Sequence, residues 1–271
     1  MGLWTLDDIP WHRFDRTRLD PELVRIVKAA SLVEHNGAAY ARHLCRVFAD
    51  DPEFQDTARR WGDEEIQHGV ALARWAALAD PEFDFDSAFA RFQEGFQVDF
   101  DSEQSRRGSR AGEMVARCVV EIGTSAYYTA LREAAAEPVL QEICRHIAAD
   151  ELRHYRLFYK NLDRYLAREP IGRLARLRVA LGRIAESEDD ELAYAYYAAN
   201  AGDLPYDRRH YTRAYARRAY ALYRPHHVER GVAMLLKAVG LTPNGRIGLL
   251  VSRLAWRAMQ YRAARLAKMA A

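Results

Sequence analysis

Two short stretches, Glu65-Ile66-Gln67-His68 and Glu151-Leu152-Arg153-His154, each set a carboxylate and an imidazole three residues apart inside a long amphipathic pattern. Both pairs fall on the apolar stripe, the line of a helix that faces a core. The two glutamates lie 86 positions apart and so do the two histidines, and each pair is preceded by an acid, Glu64 or Asp150. A buried line accepts such residues only where something neutralises and binds them. This repeat therefore restricts the fold more than any other feature of the chain.

Four long helical patterns carry the repeat. The first spans about 20–49, with the stripe Val27, Ala30, Glu34, Ala38, Ala41, Cys45, Phe48. The second opens at Pro52, a favoured first-turn residue, with the stripe Phe54, Ala58, Trp61, Glu65, His68, Leu72, Trp75. A connection of about 28 residues, 81–108, follows. The third helix, about 109–136, has the stripe Met114, Cys118, Glu121, Ser125, Tyr128. Pro138 opens the fourth, with Leu140, Cys144, Ile147, Glu151, His154, Phe158, Leu162, Tyr165. Two helix pairs joined by one long crossover predict an all-α chain built on a ferritin-like four-helix bundle. The expected organisation is an N-terminal arm over 1–20, the bundle over 21–168 and a basic helical C-terminal extension over 169–271.

Each of the four helices places a glutamate at mid-stripe: Glu34, Glu65, Glu121 and Glu151. The separation is 31 residues within the first pair and 30 within the second. In antiparallel hairpins with short turns, such equal arms bring the acids to one height, and His68 and His154 lie one turn further on. Four ionised carboxylates in a dry core repel one another, and each costs several kcal/mol in lost hydration. Two divalent cations cancel those charges. One imidazole per metal completes a nitrogen/oxygen donor set suited to iron, with manganese as the alternative. A glutamate from each of two helices plus Glu-x-x-His from each of the other two is the ligand pattern of dinuclear carboxylate bundles. Glu64 and Asp150 are placed to accept the remaining N–H of the opposite histidine.

Composition removes several alternatives. The three cysteines, Cys45, Cys118 and Cys144, form no Cys-x-x-Cys unit; this argues against a disulfide framework and fits a reducing cytoplasm. No apolar run approaches the roughly 18–20 residues that span a bilayer, and the start lacks the basic-then-apolar pattern of a secretory signal. Net charge is +2 but uneven: residues 201–271 hold 14 Lys/Arg against 3 Asp/Glu, or +11, which leaves −9 for the rest. Such asymmetry points to an anionic partner for the C-terminal part.

The stretches "WGDEEIQHG" (61–69) and "ICRHIAADELRHYRLFYKNL" (143–162) resemble the two metal-binding helices of soluble acyl–acyl-carrier-protein desaturases, within the ferritin-like di-iron superfamily. The likeness includes Trp61 and Gly69 around the first motif and Thr124, three residues after Glu121, where that family carries an oxygen-site threonine. It covers about 22–168. The resemblance implies that Glu65 and Glu151 bridge two irons, that Glu34 and His68 complete one, and that Glu121 and His154 complete the other. It implies that Asp150 supports His68 on an electron-entry route, that the electron donor is external, and that the protein is a homodimer. The implied activity is that of an oxygen-activating di-iron oxidoreductase acting on an unactivated C–H of an acyl chain. The basic tail then suits an acidic acyl carrier protein. Two other readings use the same residues: a rubrerythrin-like peroxidase or ferroxidase, and a non-catalytic metal bundle whose basic tail binds anionic membrane or nucleic acid.

Overall fold

The computed structural model describes residues 4–96, 104–186, 190–201, 204–243 and 245–268, and among these it contains helices and no strand. Three 3₁₀ turns, Leu6–Asp8, Trp11–Arg13 and Arg16–Arg18, precede α1 (Pro21–His35) and α2 (Gly37–Val47). Then come α3 (Pro52–Ala79), α4 (Phe85–Gly95), α5 (Arg110–Ala134) and α6 (Pro138–Leu166). Five helices complete the chain: α7 (Arg173–Glu186), α8 (Asp190–Asn200), α9 (Arg208–Leu222), α10 (Pro225–Ala238) and α11 (Arg246–Lys268).

The helix starts follow from an acid-proline signal. Asp20 accepts from the backbone N–H of Glu22 and Asp51 from that of Phe54, satisfying donors that the first helical turn leaves open. Pro21 and Pro52 follow at the position where the missing N–H costs nothing. Glu137 does the same for α6. Its carboxylate accepts from the N–H groups of Val139 and Leu140 just ahead of Pro138.

The stripes of α3, α5 and α6 are buried throughout, from Phe54 to Trp75, from Met114 to Tyr128 and from Leu140 to Tyr165. The first expected helix differs: it is two helices, broken at Asn36. The Asn36 N–H reaches the carbonyls of both Leu32 and Val33 at 3.2 Å, a tightened last turn that ends α1 at His35. Beyond the break the buried face runs Gly37, Ala41, Leu44 and Phe48, while Ala38 and Cys45 are only half-buried. The expected crossover also contains a helix of its own, α4, started by Asp84 accepting from the Ser87 N–H; residues 97–103 of that crossover lie outside the described ones.

Contacts divide the chain into two compact units. The first comprises Met1–Glu103, Leu131–His146 and Glu188–Arg218; the second comprises Gln104–Ala130, Ile147–Ser187 and Ala219–Ala271. In the first unit α1 and α2 pack on α3, and α8 packs on α1 and α4. Polar contacts fix α8 there: Tyr40 Oη donates to Glu191 at 2.6 Å, Arg91 to the Ala198 carbonyl, and Asn200 to the Arg25 carbonyl. In the second unit Arg107 forms a two-pronged ion pair with Glu186 at the end of α7, and α11 packs on α10.

Candidate metal centre

In the first unit α3 presents Glu65 and His68 on one face, and α1 brings Glu34 in its last turn. His68 Nδ1 lies 3.7 Å from Glu34 Oε2 and 3.7 Å from Glu65 Oε2. The second unit repeats the arrangement. His154 Nδ1 lies 3.6 Å from Glu121 Oε2 on α5 and 3.8 Å from Glu151 Oε2, one turn back on α6. Within each triad one ligand atom from every residue lies within 4.8 Å of the others, and all six residues are buried.

These separations are compatible with metal ligation. At 3.6–3.8 Å an imidazole nitrogen and a carboxylate oxygen are too far apart for a hydrogen bond. Two coordination bonds of about 2.0–2.2 Å to one ion between them span that gap. Two carboxylates and one imidazole form a hard-to-borderline donor set that suits a divalent first-row metal. The buried triads are thus compatible with metal binding in both composition and spacing. Glu137 is another buried carboxylate of this chain, and it accepts from Trp75 Nε1 at 2.7 Å, from the Asp15 N–H and from two N–H groups of α6.

Neighbouring residues shape the triads. Thr124 Oγ1 donates to Glu151 Oε2 at 2.7 Å, nearer than its own helix carbonyls of Val120 and Glu121 at 3.2 and 3.3 Å. Asp150 is buried and paired with Arg153 one turn along α6, and Glu64 is half-buried. Two glycines set the helix spacing in the first unit. A Cβ on Gly37 would lie 2.2 Å from Glu65 Cβ, and one on Gly69 would lie 2.5 Å from the His35 backbone nitrogen. Only glycine lets α1 and α2 come this close to the face of α3 that carries Glu65 and His68.

Sequence periodicity missed Trp4. Its ring stacks on His68 at a centroid distance of 6.1 Å and an interplanar angle of 5°, with His146 against it at 4.9 Å. Gln67 holds the arm in place by donating to the Trp4 carbonyl at 2.9 Å. His146 of α6 is the outer neighbour of that stack. His35 packs edge-on to Phe85 and Phe89, and burial there pushes its imidazole pKa down despite the opposing Asp86 carboxylate. Burial drives the thiols of Cys118 and Cys144 far up, which keeps them protonated and inert.

Comparison with protein-family models gives no match for the chain, and comparison with curated proteins gives none either. Among the described residues no helix is long and apolar enough to cross a membrane.

Proposed function

We propose that the two triads close into one dinuclear centre, held in a ferritin-like bundle formed by α1–α2, α3, α5 and α6, and that the protein is an oxygen-activating di-iron oxidoreductase. The observation that carries this reading is the duplicated Glu/Glu/His triad, buried in each unit with nearly equal internal distances. In this reading Glu34 and His68 would hold one metal and Glu121 and His154 the other, with Glu65 and Glu151 shared between them by resemblance. Two irons bound there would supply the oxygen chemistry for removing hydrogen from an unactivated C–H bond, with electrons from an external donor. By resemblance the substrate is an acyl chain carried as a thioester.

The chain's own residues order and cover the proposed centre. Thr124 fixes the orientation of Glu151 and offers its hydroxyl proton beside it. Gly37 and Gly69 let α1 and α2 approach the face of α3 that carries Glu65 and His68 more closely than any side chain would allow. Trp4 covers one face of the His68 ring. Asp150, anchored by Arg153, is the acid assigned to support His68.

Anaerobic loading with ferrous iron, followed by oxygen, reductant and a series of acyl thioesters, tests the activity. The expected result is a dehydrogenated or hydroxylated acyl product at the expense of oxygen. An iron-loaded protein that consumes oxygen or peroxide rapidly, and leaves every acyl chain intact, contradicts the substrate assignment and favours peroxide reduction.

A further inference from the structure

We infer that α11 is a docking helix for an anionic lipid surface. Within the second unit this helix buries little of itself. Leu249 is 59% exposed, Leu250 57%, Leu254 54% and Tyr261 71%. At 100° per residue Leu250, Leu254 and Tyr261 fall within a 40° arc of one another, and Arg253 and Arg257 on one side and Arg265 on the other flank that arc. All three arginines are exposed. The opposite side is the one turned to α10: Gly248 and Ser252 are buried, and a Cβ on Gly248 would lie 3.4 Å from Leu236 of α10.

The charge of the helix selects the occupant. α11 contains five arginines and one lysine and no aspartate or glutamate. A second copy of the same helix would set arginine against arginine. Nucleic acid would meet the arginines but leave the leucine row in water. A lipid surface satisfies both, because leucines and a tyrosine enter the headgroup region while arginines meet anionic phosphates beside them. α7 of the same unit repeats the composition, with four arginines and with Leu174, Leu181 and Ile184 exposed, so the basic-apolar character is not confined to one helix.

The test is co-sedimentation of the full chain with vesicles of phosphatidylcholine alone, or with about one-third phosphatidylglycerol, over a salt series. Wild type is expected to bind the anionic vesicles at low salt and to leave them as salt rises, because the interaction is screened over roughly 8–10 Å. The L250E/L254E and R253E/R257E variants should each lose at least ten-fold in binding while keeping wild-type helicity by circular dichroism and wild-type iron content. Three results overturn the inference: no binding to anionic vesicles at low salt, equal binding to neutral vesicles, or binding that persists in both folded variants. Binding to single-stranded DNA without any binding to vesicles overturns it in favour of nucleic acid. Vesicle binding is read without reference to acyl oxidation, and the iron content of the variants serves only as a check on folding, so the inference stands or falls separately from the proposed activity.

Discussion

Thr124 donates its hydroxyl hydrogen to Glu151 across the 2.7 Å between α5 and α6, three residues beyond Glu121 on the same helix. A threonine hydroxyl inside a helix ordinarily turns back to its own i−4 carbonyl. Here the shorter bond goes to a buried carboxylate, which ties the position of Glu151 to the helix that carries Glu121. Replacing Thr124 by valine keeps the shape and removes the donor. The expected outcome is a folded protein with a loss of about 10–100-fold in iron affinity or turnover, the usual effect of removing a ligand's hydrogen-bond partner. Thr124→Ser should restore most of it. Iron titration and oxygen-consumption rates for the two variants make the comparison.

Gly69 stands against the His35 backbone, so Gly69→Ala forces α1 and α3 apart next to Glu34 and His68. A cost of about 1–3 kcal/mol is expected for this overpacking. At roughly 2–4 °C per kcal/mol the melting temperature should fall by several degrees, with a parallel loss of bound iron. Gly182 supplies the control: a Cβ there meets nothing within 4 Å, and Gly182→Ala should stabilise α7 by about 0.5–1 kcal/mol. Thermal scans of the two variants with and without iron separate the packing effect from a general glycine effect.

Trp4 shields His68 from outside. Trp4→Ala should accelerate iron release to a chelator several-fold, and Trp4→Phe, which keeps an aromatic face, should release iron at close to the wild-type rate. Stopped-flow chelator kinetics report this directly. Release at an unchanged rate in Trp4→Ala would show that the arm plays no part in closing the site.

Lys28 and Asp80 form a 2.8 Å ion pair that joins α1 to the end of α3. The hydrogen bond and charge of Lys28 hold the Asp80 carboxyl below its ordinary value of 3.8. A folded-state value below the unfolded one means that the unfolded chain binds more protons as pH falls. The pair's stabilisation is therefore complete above about pH 4–5 and is lost as acid titrates the folded carboxylate. Glu186, held down by Arg107, acts in the same direction. In Lys28→Met the fall in urea midpoint between pH 6 and pH 3.5 should be smaller than in wild type, because that contribution is already absent at pH 6.

Helix existence and most of the buried faces were readable in the chain because proline and acid mark the starts and the 3.6-residue period is unbroken over α3, α5 and α6. The clustered glutamates and histidines stood out for the same reason, as polar residues on otherwise apolar stripes. The break at Asn36 left no such mark: Asn36-Gly37 is weak in a helix but not forbidding, and the apolar period continues through it. Trp4 lies before any periodic segment, on a stretch of single 3₁₀ turns, so no pattern connects it to His68 some 64 residues later. Glu137 lies between the third and fourth helical patterns, where no periodicity singles it out. Its role as a buried anchor for Trp75 and the N-terminal arm depends on contacts that only tertiary packing creates.

The central claim is that the two triads share a pair of cations. X-ray absorption at the iron edge of the fully loaded chain measures this most directly. The account predicts about two irons per chain, a nitrogen/oxygen shell near 2 Å and an iron–iron scattering path at about 3.5–4 Å. A single iron per chain, or two irons with no metal–metal path, would contradict it.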